Sequence, residues 1–179
     1  MKEPILTSTY KSPVGELLLG TFQGKLCLCD WKYRKMRNSV DTRIKKILES
    51  EYKEGKSDII DETIRQLTEY FSGTRRNFDI PVLLAGSDFQ EKVWNELIKI
   101  PYGQINSYLE LAKKVGNEMT VRAVASANGA NAISIIVPCH RIIGSDGSLT
   151  GYAGGIEAKR KLLKLEGAKL FTEQLNLFD

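Results

Sequence analysis

The texture of the chain changes near "AGSDFQ", from strand runs mixed with helices to short helices alone, and this change is what most limits the folds open to it. Before it, the runs "ILTSTYKS", "GELLLGTF" and "KLCLCDW" are short and apolar or alternating, with "PVG" and "QG" between them. Residues 5–31 therefore read as a β-meander. Helices are expected over 39–50 and 58–71, the second with Ile60, Ile64, Leu67 and Phe71 on one stripe and Gly73 as its stop. "FDIPVLL" reads as a further strand, which makes the first part a small α/β unit. From Ser87 onward the texture is helical. Ser87 and Gln90 have capping-box spacing, and Phe89, Val93, Leu97 and Ile100 form a face that ends at Pro101. Ser107 and Glu110 repeat the box before a short helix to Val115, and a third helix is expected from Thr120 to Asn128, closed by Gly129. Three short helices joined by tight glycine turns suit a helix-turn-helix, and suit a small helical bundle equally well.

The third helix, "TVRAVASANG", carries little bulk, and Arg122 is its one long cation. Small residues fit either close packing on a neighbouring helix or a helix laid into a DNA groove with Arg122 reaching the base stack. Charge does not decide between them. A net charge of +4 neither demands nor excludes a nucleic-acid partner, and "KYRKMR" (Lys32 to Arg37) is either a phosphate contact or a solvated surface. No apolar run approaches the roughly 18 residues of a membrane span, and "MKEPILTSTY" lacks a signal-peptide core. The expectation is a cytoplasmic chain with reduced thiols and no membrane partner; its three cysteines, an odd number, argue against a disulfide framework.

The chain's only histidine stands beside one of those cysteines, in "SIIVPCHRIIG". A thiol with a pKa of about 8.5 needs a proton acceptor to become a nucleophile, and His140 is the available base for Cys139. Adjacent residues on an extended strand point to opposite faces, so the proton is expected to travel through a backbone bend or a bridging water. A nucleophile–base pair usually has an orienting acid. Glu166, at the end of "IEAKRKLLKLEG", is the candidate, although a carboxylate there opposes the helix dipole and also suits a plain surface position. Cys27 and Cys29 in "KLCLCDW" would put both sulfurs on one strand face. Zinc needs four ligands and this chain has few to spare, so a buried strand face is the preferred reading, with no metal site.

"IVPCHRIIGSDGSLTGYAGG", with "YGQINSYLELAKKVG" and "VRAVASANGAN", resembles the active-site block of the alkylguanine-DNA alkyltransferases, also called methylated-DNA–protein-cysteine methyltransferases. The resemblance covers about residues 87–167, while the first part is similar only in arrangement. It implies a ribonuclease H-like α/β domain over 1–84, a mainly α domain with a winged helix-turn-helix over 85–168, and a tail over 169–179. The implied activity is DNA repair: one irreversible transfer of an alkyl group from O6-alkylguanine, and less efficiently O4-alkylthymine, in double-stranded DNA to Cys139. By the same resemblance, His140 and Glu166 form a water-linked relay, Tyr108 helps rotate the nucleotide and protonates the leaving guanine, and Asn131 is the hinge asparagine. Arg122 is the finger that fills the gap left by the extruded nucleotide. Thr120, Ala123, Ser126 and Ala127 complete the DNA-binding helix. The carbonyls of Cys139 and Ile142, together with Tyr152 and Ala153, receive the base. Where some members have a serine, Ala153 leaves only a backbone N–H for O6. No cofactor is implied, and a monomer is expected.

Three other classes remain to be weighed: a turning-over thiol hydrolase, a lesion binder that recruits other repair factors, and a sequence-specific regulator. The binder lacks the acceptor cysteine that this chain has, and a regulator would want base-reading side chains where the third helix offers Ala and Ser. Beyond the block, "FTEQLNLFD" contains Gln174, Leu175, Leu177 and Phe178 in the order of the peptide by which bacterial replication and repair proteins dock on the sliding clamp.

Overall fold

The computed structural model describes residues 2–170. Its first half is a four-stranded sheet with two helices, the strands lying side by side with the third of the chain at one edge, then the second, the first and the fourth. Strands β1 (Ile5–Ser12), β2 (Gly15–Phe22) and β3 (Lys25–Trp31) form the expected antiparallel meander. Helix α1 (Arg37–Leu48) leads to β4 (Tyr52–Glu54), which pairs parallel to β1 and carries no alternation by which its sequence could announce it. Helix α2 (Asp58–Phe71) starts where Ser57 accepts a hydrogen bond from the Ile60 N–H, with Asp58 and Asp61 in the first turn favouring the dipole. Its buried face is Ile60, Thr63, Gln66, Leu67 and Tyr70. The face is thus turned away from the expected Ile64 and Phe71, which pack at its margin, and it points Tyr70 inward.

Two other expectations are corrected. "FDIPVLL" is not a regular strand. It touches β3 through a single parallel bridge, Leu26 with Val82, made by Leu26 N–H to Pro81 O (2.8 Å) and Leu83 N–H to Leu26 O (2.8 Å). Pro81 has no N–H with which to extend a ladder. Nor do Cys27 and Cys29 share a face. The β2–β3 register shifts between Gly20 and Thr21, leaving Cys27 as the extra residue of a bulge. Cys27 packs with Ile5, Leu28 and Ile44, whereas Cys29 joins Leu17, Trp31 and Trp94 in the main core. Burial pushes the Cys27 thiol up to about 12, and Cys29 is raised further by burial and by Asp30.

The second half is built on helices α3 (Asp88–Ile98), α4 (Tyr108–Val115), α5 (Val121–Gly129) and α6 (Ile156–Leu165). Both capping boxes form: Ser87 with Gln90 and Ser107 with Glu110 satisfy each other's backbone N–H groups. A two-residue parallel pairing, β5 (Asn106–Ser107) with β6 (Ile142–Ile143), ties the start of α4 to the segment after the histidine. The halves share one core, in which Leu17, Trp31, Leu67 and Tyr70 lie in a cluster with Trp94, Leu111, Val124 and Leu162. The free edge of β3 also bridges Ile133, through Cys29 N–H to Ala132 O (2.9 Å) and Ser134 N–H to Cys29 O (2.7 Å). The first half thereby holds the segment that leads to Cys139. No described helix is long and apolar enough to cross a membrane.

Candidate active site

Cys139, His140 and Arg141 form one 3₁₀ turn after Pro138, not an extended strand. Successive side chains on such a turn diverge by roughly 120° rather than 180°, so thiol and imidazole are not opposed. This turn is a backbone bend, one of the two routes expected for the proton. Asn131 braces the approach to it: its Nδ2 donates to Val137 O (2.9 Å), and its Oδ1 accepts from the Ile133 N–H (3.0 Å). Between them Ile135 is held at φ 71°, a left-handed conformation that costs a β-branched residue about 1–3 kcal/mol and persists only when its surroundings enforce it.

Glu166, at the C-cap of α6, is buried and receives every orienting contact. His140 Nε2 lies 2.7 Å from Oε1; Arg141 donates through Nε to Oε2 and through Nη2 to Oε1, both at 2.9 Å. The Gly103 N–H (3.2 Å, to Oε2) and the Tyr70 hydroxyl (2.7 Å, to Oε1) complete the set. Burial alone would raise this carboxyl, but the hydrogen bonds and charges of His140 and Arg141 outweigh it and hold the group well below the usual range. His140 is pushed down by burial against the pull of Glu166. A carboxylate only accepts, so Nε2 carries the imidazole proton and Nδ1 keeps its lone pair. That Nδ1 is buried without a hydrogen-bond partner. The thiol of Cys139 is raised by burial, against the Asn131 amide and the Lys159 charge.

Lys159 is fully buried, and its ammonium donates to the carbonyls of Ile142 and Thr150. Burial brings its pKa down to about 8. The carbonyl expected to read the guanine, that of Ile142, therefore already has one donor, and that of Cys139 accepts the Ile142 N–H; each oxygen keeps a second lone pair. Around this floor lie Tyr108, whose hydroxyl donates to Thr150 O (3.3 Å), and Tyr152, whose hydroxyl is buried toward the Trp31 indole. Tyr152 sits edge-on between Trp31 (5.8 Å) and His140 (6.5 Å). Ala153 is half-buried beside it, and a Cβ on Gly154 would come within 2.4 Å of the Trp31 ring. One orphaned polar atom, His140 Nδ1, thus stands beside a buried thiol; a buried group of this kind calls for a ligand or a chemical role.

A 3₁₀ turn, Glu118–Thr120, precedes α5, and the Thr120 hydroxyl donates to Asn117 O (2.6 Å). Met119, Arg122, Ala123, Ser126 and Gly129 face outward in one stripe. Ala127 does not share it: it is buried, and its carbonyl accepts the Trp94 indole N–H (2.8 Å). Two arginines of "KYRKMR" are engaged inside the protein. Arg34 and Arg37 both pair with the buried Asp30, and Arg34 also donates to the carbonyls of Gly129 (2.6 Å) and Asn131 (3.2 Å) at the end of α5. Gln174, Leu175, Leu177 and Phe178 lie outside the described residues.

The family model described as the DNA binding domain of 6-O-methylguanine DNA methyltransferase matches residues 88–168, and that described as its ribonuclease-like domain matches residues 5–84. The methylated-DNA–protein-cysteine methyltransferase of Methanosarcina acetivorans is 42% identical over 160 residues, 89% of this chain and 96% of the relative. That of Mycobacterium tuberculosis is 51% identical over 116 residues, 65% of this chain and 70% of the relative. The crystal structure of Mycobacterium tuberculosis OGT in complex with DNA superposes with a TM-score of 0.78 at 39% identity, covering 98% of this chain and 100% of that one. The chain belongs to the methylated-DNA–protein-cysteine methyltransferase family. Its fold is that family's, a ribonuclease-like α/β domain followed by a helical DNA-binding domain.

In this family member the sequence reading missed three polar residues of the site. Arg141 lies inside the quoted motif, and its charge beside a histidine in an apolar run was a readable signal of a buried carboxylate. Lys159 sits in a helix with Arg160, Lys161 and Lys164 and had no mark to set it apart. Tyr70 is 96 positions from its partner, and no local pattern could join the two.

Proposed function

We propose that Cys139 accepts the alkyl group from O6-alkylguanine in double-stranded DNA, once per chain. The observation that carries this reading is the buried thiol beside an imidazole whose Nε2 is fixed by Glu166 and whose Nδ1 is open. His140 Nδ1 takes the thiol proton, directly or through water. The Cys139 sulfur attacks the alkyl carbon, the carbon–oxygen bond breaks, and its electron pair goes to the guanine O6. Tyr108 supplies a proton to the departing base. The product thioether has no good leaving group, so the chain acts once.

A duplex hides O6, and turning the nucleotide out costs about a few kcal/mol. The outward face of α5, with Thr120 at its start and Arg122, Ala123 and Ser126 along it, is small enough to sit in a groove and carries one long cation to fill the vacated stack. Asn131 joins this helix to the catalytic turn. The carbonyls of Cys139 and Ile142 accept from the guanine amino group, and the Tyr152 hydroxyl and the Ala153 N–H meet the ring and O6. O4-alkylthymine is a poorer substrate. The protein works as a cytoplasmic monomer without a cofactor. Incubation with a methylguanine duplex should add one methyl per chain, on the Cys139 peptide, and Cys139→Ser should gain none. Repeated turnover by one chain would refute the proposal, and tight lesion binding without a mass change would favour the binder.

The tail is assigned to the bacterial sliding clamp on its Gln174-Leu175-Asn176-Leu177-Phe178 order alone. Such a tether would raise the local concentration of a single-use protein on DNA. A labelled peptide of residues 170–179 should bind the clamp and lose binding when Leu177 and Phe178 become Ala. No binding at about 100 μM would remove the assignment.

A further inference from the structure

We propose that Tyr70 is a positioning residue of the relay: its hydroxyl, reaching in from the first half of the chain, holds Glu166 Oε1 and so sets the basicity of His140. The inference rests on the transfer reading above.

Three donors meet on that one oxygen, namely His140 Nε2, Arg141 Nη2 and the Tyr70 hydroxyl. The ring of Tyr70 has an ordinary reason to be there. It is fully buried among Phe71 (5.2 Å), Phe78 (5.5 Å) and Tyr102 (6.1 Å), an aromatic cluster that phenylalanine would fill as well. The hydroxyl has none. It adds a polar group to an apolar wall, which is unfavourable unless an acceptor is supplied. Its partner is Glu166, already oriented by Arg141 and the Gly103 N–H. Geometry does not need a further donor there, but charge distribution does respond to one. Each N–H or O–H on Oε1 draws negative charge toward itself and weakens the hold of that oxygen on a protonated imidazole.

Burial, with Glu166 beside it, pushes the phenol far above its ordinary range, so Tyr70 donates at every working pH. The other charged or titratable groups around the pair are Arg141 and Lys159, which disfavour a charged imidazole, and Tyr102, with Arg76 over its ring at 5.5 Å. Cys139 and Tyr152 complete the surroundings. Tyr70 is the member of this set that bonds Glu166 from the sheet-bearing half. Its loss should leave Oε1 more available to His140, stabilise the imidazolium, and raise the pH at which the base becomes neutral.

The test is the rate of alkylation of Cys139 by free O6-benzylguanine, followed by intact mass across the acidic limb, in the full-length chain. Free base is chosen because it needs no DNA binding. Tyr70→Phe should move the midpoint of that limb up by roughly half a unit to one unit, which is about threefold to tenfold in relative rate on the limb. Replacing Tyr70 by 3-fluorotyrosine keeps the ring and hydroxyl, makes the phenol a stronger donor, and should move the limb the other way. Profiles that superimpose on the wild type after scaling, whatever the plateau rate, mean that the hydroxyl only packs, and they overturn the role of Tyr70. A wild-type chain that gains no mass overturns the transfer reading, and this role with it.

Discussion

Glu166 takes five N–H and O–H donors from four residues on its two oxygens, which makes it the group that decides how the site responds to acid. Its folded pKa lies below the ordinary 4.5, so its contribution to stability is complete above that pH and is lost as pH falls toward the folded value. His140 acts in the same direction at higher pH. Its folded pKa lies below 6.5, the unfolded chain takes up that proton first, and stability declines as pH drops below 6.5. Urea midpoints should therefore fall on acidification, and Glu166→Gln should start lower near neutrality and lose less below 4.5. Parallel curves for the two proteins would contradict this. Arg122→Ala belongs to the same scale: the exposed side chain should matter for methylguanine in duplex and leave reaction with free benzylguanine unchanged, and equal losses on both would remove the finger role. Cys139 and His140 were legible in the sequence, because "PCHR" and a lone histidine are chemical signals that sit together, whereas Arg122 took its role from the family resemblance. Tyr70 was not legible, since Ile64 and Phe71 made the more apolar stripe and the true face is turned toward Thr63 and Tyr70. Hydrophobicity alone ranks a phenylalanine above the tyrosine before it, and only the partner across the fold reverses that order.

Among the elements, the two capping boxes offer a matched comparison. Ser87→Ala and Ser107→Ala should each cost about 1 kcal/mol in urea unfolding, because each removes the acceptor for an N-terminal N–H. Their effects on transfer should differ. Ser107 precedes Tyr108, the first residue of α4, so its loss should also slow alkylation by benzylguanine, whereas Ser87→Ala should leave that rate as it was. Equal rates would show that the cap does not set the Tyr108 hydroxyl. The helices were readable because caps and glycine stops are local. The sheet was readable only where its strands alternate: β4 has three residues and no pattern, "FDIPVLL" is apolar but interrupted by Pro81, and the bulge at Cys27 depends on a register that no single strand records.

At the scale of the whole molecule the shared core predicts one cooperative transition. Trp31 lies in the first half and Trp94 in the second, and both belong to one cluster. The variants Trp31→Phe and Trp94→Phe each keep one of the chain's two tryptophans, and in each the remaining fluorescence should unfold together with the helical circular dichroism. Separated midpoints within either variant would mean two independently folding units. The same connectivity governs the order of events when the chain is made. The segment that leads to Cys139 is bridged to β3 at Ile133 and Cys29, and the carboxylate that orients His140 arrives only at Glu166, after most of the polypeptide has been synthesised. Contacts of such long sequence separation form late. Until α6 is in place His140 has no carboxylate to fix its tautomer, so the relay that serves Cys139 is complete only once Glu166 has joined it.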